Sequence, residues 1–551
     1  MKMVKSLLLG TAAGLVAVAG AQAADLPVKA KPVEYVKICS VYGEGFFYIP
    51  GTDTCLKIGG FVRQNFVFGQ ASGSFAPKML SAAGADNPIN QNSWVMQSTF
   101  VTSFDVRTQT EYGTLRAFTR AGFRMESENY DYGTYYVERA FIQLGGWTFG
   151  RTASFFDYLS GAFGYQQVFL GGGATSAGGR MLGAYTWSFG NGVSWTSSIE
   201  DPTTKRNFAW DASDPTATKL TVGAFPGPGT VGSTVTGYTT CGVSIFSNDS
   251  GTANSQLAGC SIGDYAAQKL PDFVSQLRVD QAWGSAQLAT GVHQISTGYY
   301  GNNILTTNAT FTGIQPKDKY GFAIVGGISL NIGSGGDKAY VETVYTQGSP
   351  GYAGLSELDL ANSVFVIARD NRFAAGWAPD AVFFNAGSPG APQFSGIRLT
   401  TVWTVAAAYE HYWTPAVRTS VYGVFTAVSF DSTAKLAFCN TVGTGAAITD
   451  PLPQFQLNSG GAKNPASTGV ATPGCNPNFD IWGIGVRTIW NPVKNLDVGL
   501  EVFRDQIDQK WDPNLWHLAF GGNGGQPTGN YRPANLGVWG AMLRVQRNFY
   551  P

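Results

Sequence analysis

Residues Thr114–Ser127 read TLRAFTRAGFRMES. Arg116, Arg120 and Arg124 stand four apart, a spacing that suits one face of a helix and one face of a strand equally well. The residues between them decide. Odd positions hold Leu115, Ala117, Thr119, Ala121, Phe123 and Met125, all uncharged. Even positions hold the three arginines with Phe118, Gly122 and Glu126. This is a period of two, and Gly122 weakens a helix.

The preceding segment, STFVTSFDVRTQTE, alternates the same way. Phe100, Thr102, Phe104 and Val106 fall on one side; Ser103, Asp105, Arg107 and Gln109 fall on the other. Tyr112-Gly113 forms a short turn, so the two segments read as a hairpin. One of its faces is apolar and the other carries guanidinium groups.

Composition narrows the setting. The 551 residues are only 13% charged but hold 71 glycines and 13% aromatics, whereas soluble domains carry roughly 25% charge. Lys2 and Lys5, an apolar stretch from Leu7 to Val18 and the small-residue site Ala21-Gln22-Ala23 read as an export signal over 1–23. Without Lys2 and Lys5, 34 basic residues face 36 acids. Near-neutrality gives no argument for a nucleic-acid partner. After the leader, no apolar run reaches the about 18 residues of a membrane helix. An exported chain with little charge, many aromatics and alternating strands fits an outer-membrane barrel.

Sixteen strands are expected, at 56–68, 95–111, 114–126, 135–144, 147–152, 180–189, 193–200, 272–282, 285–296, 319–330, 338–347, 396–412, 416–430, 479–490, 496–508 and 537–549. Their connections alternate between short and long, as in an antiparallel transmembrane barrel with short periplasmic turns and long external loops. Sixteen strands leave an aqueous lumen, whereas eight would be filled by side chains. In this fold Leu115, Ala117, Ala121, Phe123 and Met125 face lipid and the arginines face water. The inverted register would place each arginine in lipid at a cost of roughly 2–4 kcal/mol near the midplane.

The six cysteines fall in three local pairs, Cys39 with Cys55, Cys241 with Cys260 and Cys439 with Cys475. In an exported chain these read as disulfides, although six cysteines allow 15 pairings. No C-x-x-C spacing points to a metal, and no motif points to a cofactor.

Four segments resemble the alphaproteobacterial porin family, especially its rhizobial-type members. They are ADLPVKAKPVEYVKICSVYGEGFFYIPGTDTCLKIGGFVR from Ala24 to Arg63, AFIQLGGWTFGRTASFFDYLSG from Ala140 to Gly161, YWTPAVRTSVYG at 412–423 and WGIGVRTIWNPVKNLDVGLEV at 482–502. The resemblance implies a sixteen-stranded barrel in a homotrimer, set in outer-membrane lipid and lipopolysaccharide, through which small hydrophilic solutes and ions diffuse passively. It also implies that the third external loop, here about 153–179 after the fifth strand, folds inward. The resulting division is a leader over 1–23, a periplasmic segment over 24–55 and a barrel over 56–551. Barrels of this family commonly finish on an aromatic residue, whereas this chain ends Phe549-Tyr550-Pro551.

The expected pore lining is Arg116, Arg120 and Arg124, with Arg107 on the neighbouring strand, Arg63 on the first, Arg151 just before the inward loop and Asp157 as that loop's only carboxylate. A basic wall facing a weakly acidic loop leans the channel towards anions. Arg139 is ambiguous, because its strand does not alternate cleanly. The competing reading pairs these arginines with Asp105, Glu111 and Glu126.

Other functions find less support. His293, His411 and His517 are scattered, and neither G-x-S-x-G nor H-E-x-x-H occurs. Gly227-Pro-Gly-Thr-Val-Gly232 matches G-x-G-x-x-G but has no helix after it, so it reads as loop. A substrate-selective channel for sugars or oligopeptides, using Phe163, Tyr165 and Phe169, is the main alternative. A barrel-rim enzyme, or an adhesin using loops 201–271 and 431–478, is the remaining one.

Overall fold

A computed structural model describes residues 38–69, 94–127, 134–158, 179–207, 209–211, 265–266, 269–300, 314–355, 364–369, 371–385, 394–439, 455–457, 475–513, 516–520 and 529–549. The leader, Cys241, Cys260, most of the loop after the fifth strand and the G-x-G-x-x-G match lie outside them.

The chain forms an all-β barrel. Its strands, numbered in chain order, are β1 (Cys55–Gly69), β2 (Trp94–Thr110), β3 (Gly113–Glu126), β4 (Thr134–Leu144), β5 (Trp147–Thr152), β6 (Arg180–Gly190), β7 (Val193–Glu200) and β8 (Asp272–Gln281). They continue as β9 (Gly284–Ile295), β10 (Lys319–Ile332), β11 (Asp337–Gln347), β12 (Thr401–Thr414), β13 (Val417–Ser429), β14 (Phe479–Trp490), β15 (Leu496–Gln509) and β16 (Leu536–Asn548). Each pairs antiparallel with the next, and β16 returns to β1 in the register Arg63↔Gln546. Closure leaves no strand edge in lipid, where an unpaired backbone group has no water to bond.

Period two sets the inside and the outside. On β3, Leu115, Phe123 and Met125 are 39%, 49% and 52% exposed, whereas Arg116 is 7% exposed. Phe100 and Phe104 continue the outer row on β2. Tyr112, Trp147, Trp283, Trp413 and Trp490 are exposed beside the short turns, where amphipathic rings suit a membrane interface. The turns need special backbone. Gly192 has φ +73°, and a Cβ there would lie 1.9 Å from the Asp280 carbonyl oxygen.

The sequence places β12 too early, at 396. Arg398–Leu399 instead leaves the wall to pair with Ala381–Phe383, which runs parallel to Ala209–Asp211. Alternation alone does not distinguish a barrel strand from a strand paired with a loop.

This small sheet belongs to a packed assembly at the external end of the barrel. Phe373, Ala374, Ala375, Trp377 and Val382, between β11 and β12, are buried. They pack in one apolar cluster with Val402, Val428, Phe479, Ile481, Ile507 and Val538 of the barrel wall. Arg372–Trp377 also pairs with Val364–Arg369 and, in parallel, with Gly529–Pro533.

At the opposite end Cys39 and Cys55 form a disulfide with Cα atoms 6.0 Å apart. It ties residues 38–54 to the start of β1, and Phe47–Tyr48 pairs with Cys55 and Leu56. Cys475 is also disulfide-bonded; the side chain of Cys439 lies outside the described residues.

Candidate functional site

The inner wall of β16 and β1–β4 is basic. Asp105 is clamped by two guanidinium groups: Arg107 donates to it at 3.0 and 2.8 Å, and Arg116 at 2.9 Å through each of Nε and Nη2. Two charges on one carboxylate leave a surplus positive charge. Arg116 also donates to Gln143 at 3.0 Å and lies beside the stacked rings of Phe118 and Phe141, which fixes a planar group in place.

Further along the wall, Arg120 Nε is 2.6 Å from Glu138 Oε2. A bulge brings that carboxylate into reach: Arg120 faces Arg139 but Ala121 faces Val137, so Glu138 is the extra residue. The bulge explains why β4 does not alternate cleanly, and Arg139 Nη1 donates to the Glu138 carbonyl at 2.8 Å. Arg124 lies over the Tyr136 ring. Arg63 donates to Gln546 at 2.7 Å, and Arg544 donates to Asn65 at 2.7 Å. Near the periplasmic end the rings of Tyr42 and Phe46 flank Arg107.

Eight strands around, the inner wall is mixed. Glu410 takes up Arg487 at 3.1 Å and Arg418 at 3.8 Å. Tyr422 donates to Glu501, and Arg278 pairs with Asp280 at 2.9 Å. Among the described inward side chains, β16 and β1–β4 carry Lys57, Arg63, Arg107, Arg116, Arg120, Arg124, Arg139 and Arg544 against Asp105 and Glu138. On β8–β15, Arg278, Lys319, Lys338, Arg418 and Arg487 face Asp272, Asp280, Glu342, Glu410, Asp497, Glu501 and Asp505. The result is a transverse charge asymmetry.

The start of the loop after β5 lies along β9 and β10. Gln287 Nε2 donates to the carbonyls of Phe156 at 3.0 Å and Asp157 at 3.2 Å. The Tyr158 hydroxyl donates to the Ser285 carbonyl at 2.7 Å. Gly327 makes room for the Tyr158 ring, since a Cβ there would lie 2.2 Å from it.

A buried charge cluster anchors this loop and the assembly beyond it. Arg180 is 3.2 Å from Glu200 and 3.1 Å from Asp272, with all three side chains fully buried. Ser154 donates to Glu200 at 2.7 Å, and Tyr352 donates to Asp272 at 2.7 Å. His293 Nδ1 meets Asp272 at 2.7 Å, while its Nε2 lies 3.7 Å from Asp380. Asp380 accepts from Tyr265 at 2.5 Å and from the Asn207 backbone at 2.9 Å. Burial pushes the Asp380 carboxyl up to about 7, against the lowering pull of His293 and Tyr265. Burial likewise holds the Tyr265 and Tyr352 hydroxyls well above their ordinary range.

The structure therefore gathers Arg63, Arg107, Arg116, Arg120 and Arg124 on one inner wall. Two expected lining residues stand elsewhere. Asp157 is buried, with Lys205 Nζ at 3.8 Å, so its carboxylate does not face the channel. Arg151 shares the outer side of β5 with Trp147 and Phe149, opposite the exposed Met181 and Ala140. It points away from the lumen because β5 keeps strict alternation into the loop. Phe163, Tyr165 and Phe169 lie outside the described residues. Sequence reading missed the Arg180–Asp272–His293 cluster. Its one signal was that Glu200 closes β7 and Asp272 opens the adjacent β8, both on the inward parity.

The porin-subfamily profile matches residues 25–527. Porin Omp2b of Brucella suis biovar 1 is 38% identical over 210 residues, covering 36% of this chain and 54% of the relative. Porin Omp2a of Brucella ovis is 36% identical over 220 residues, covering 36% of this chain and 59% of the relative. The chain thus spans a little over half the length of these curated relatives. Among solved structures, the outer membrane channel DcaP of Acinetobacter baumannii aligns over 91% of this chain and 99% of its own, at 13% identity and a TM-score of 0.49. With a profile match that runs from residue 25 to residue 527, the chain belongs to the porin subfamily.

Proposed function

We propose that the protein is an outer-membrane porin, a water-filled channel for passive diffusion of small hydrophilic solutes and ions, assembled as a homotrimer after removal of a leader over 1–23. One observation carries this reading: a closed sixteen-strand wall is apolar outside and lined inside with guanidinium groups that rest on Asp105, Glu138, Gln143 and Gln546. Such a surface repels alkyl chains and wets readily. The constriction is set by Arg63, Arg107, Arg116, Arg120 and Arg124 on one side. The loop that begins Ala153–Tyr158 sets the other. Excess positive charge along the basic wall favours anions.

Purified protein in a planar bilayer is expected to give large, ohmic openings in steps of three, with a reversal potential displaced towards anions in a salt gradient. Protein that inserts yet conducts nothing would end this reading. Current that saturates and is blocked at low concentration by one solute class would replace it with a substrate-selective channel.

A further inference from the structure

Two pairs of rings bracket the guanidinium clamp on Asp105, near the periplasmic end of the basic wall. Phe118 faces Asp105 across β2 and β3, and Phe141 faces Phe118 on β4. These two rings stack with centroids 5.3 Å apart, and the centroids lie 5.0 and 5.3 Å from Arg116 Cζ. On the other side of the clamp the Tyr42 and Phe46 centroids lie 5.6 and 4.9 Å from Arg107 Cζ. The disulfide places that second pair, because Cys55 stands opposite Arg107 in the β1–β2 ladder. Tyr42, Phe118 and Phe141 are only half-buried on the inner side. Apolar rings left open to an aqueous passage gain free energy from whatever covers them.

Charge at this level is unbalanced. Lys57 stands opposite Asp105 in the ladder, and Arg107 and Arg116 both bond it. Arg116 commits Nε and Nη2 to Asp105 and Nη1 to Gln143. Arg107 commits Nε and Nη2 to Asp105, while its Nη1 has no hydrogen-bond partner among the described residues. That nitrogen is an open donor on a cation. A carboxylate matches it in charge and in hydrogen bonding. A planar aromatic body attached to the carboxylate meets the neighbouring rings in offset or edge contact and the guanidinium groups through its π face. A neutral sugar would cover the rings but leave the positive charge unanswered.

We propose that this level of the lumen is a binding site for small aromatic carboxylates, with the carboxylate on Arg107 and the ring in the bracket formed by the two ring pairs. The proposal rests on the channel reading above and names a solute class for it. Retention is on the order of millimolar, weak enough for the solute to leave again. The test compares benzoate with cyclohexanecarboxylate at neutral pH. Both carry one negative charge on a six-membered ring, but only benzoate has a π face. Block of chloride current through the full-length protein in planar bilayers gives a half-block concentration for each acid. Wild type is expected to need about tenfold less benzoate than cyclohexanecarboxylate, equivalent to roughly 1.4 kcal/mol. Tyr42→Leu combined with Phe118→Leu should bring the two acids within about twofold of each other. Arg107→Gln should raise the half-block concentration of both by about tenfold. Equal half-block by the two acids in wild type would overturn the site, as would a benzoate preference that survives the double leucine variant. If that variant forms no pores, Arg107→Gln decides, and a benzoate half-block that stays at the wild-type value overturns the site. Absence of chloride current in wild type would strike the channel reading instead; calorimetry of both acids on the detergent-solubilised protein then judges the site by the same ratio.

Discussion

The two sides of the barrel interior are built on different principles. Along β16 and β1–β4 the inner wall is polar over most of its length, and its arginines are held by single carboxylates, amides and aromatic rings. Along β8–β15 the external half of the wall is apolar, with Val274, Val325, Val344, Val402, Val428 and Ile481 covered by packed loop segments. The first side needs no covering loop because its guanidinium groups find polar partners within the wall itself. The second is occupied because exposed apolar surface in a lumen gains about 25 cal/mol per Å² when a loop covers it.

The largest expected effect comes from removing the bolt of the filled side. Arg180→Leu leaves Glu200 and Asp272 buried without their cation, and breaking a buried pair this way costs about 3–5 kcal/mol. Denaturant unfolding in micelles should show a loss of that order, with higher conductance from the protein that remains folded, because Tyr352 loses its bond from Arg180 and the carboxylates that hold Ser154 and Tyr352 lose their counter-ion. An unchanged unfolding midpoint would mean that the loops are held by the apolar cluster alone.

The charged side should respond in selectivity instead. Arg116, Arg120 and Arg124 changed together to Ala are expected to widen passage and move the reversal potential towards cations. Glu410→Gln on the far wall should move it by a smaller amount towards anions, since Glu410 already serves Arg487 and Arg418. Equal and opposite shifts would show that the walls act as one ring; no shift from the arginine variant would remove that row from the constriction.

The contrast also explains what the sequence could disclose. Period two was legible wherever one face meets lipid, because a register slip on β3 would drive three arginines into hydrocarbon. The inner arginine row followed from the same penalty. The short β5 and β7 were equally readable, ending at Thr152 and Glu200. The filled side was not, because the partners of Phe373 and Trp377 lie far along the chain on β12–β16. No local period encodes such long-range packing. Glu138 was hidden because a bulge breaks the very alternation used to read its strand. Arg151 was misplaced because its position before the inward loop counted for more than its parity.

A pH-dependent difference between the sides should be smaller. Asp380 has its carboxyl raised to about 7 in the docked loop, against an ordinary value near 4 once released. The docked state therefore binds the proton more tightly. Its contribution to docking is fully present below the ordinary carboxylate range and is lost as pH rises through about 7. His293, Tyr265 and Arg206 face this group. Conductance of the wild type is expected to rise between about pH 4 and pH 7, the interval set by those two values. Asp380→Asn, which keeps an acceptor for Tyr265 and cannot ionise, should flatten the rise. A slope that survives the substitution would place the titration on another group.

The smallest effect tests whether the start of the loop after β5 is fastened to β9 and β10 by Tyr158. Tyr158→Phe removes the hydroxyl that bonds Ser285 but keeps the ring over Gly327. A single such bond contributes about 1 kcal/mol net, so mean conductance should hold while brief current fluctuations become more frequent. Gly327→Ala attacks the same contact from the wall and displaces the ring outright, so its fluctuations should exceed those of Tyr158→Phe. If Tyr158→Phe proves as noisy as Gly327→Ala, the hydroxyl alone sets the loop. If neither differs from wild type, Gln287 and Glu200 hold the start of the loop without help from Tyr158.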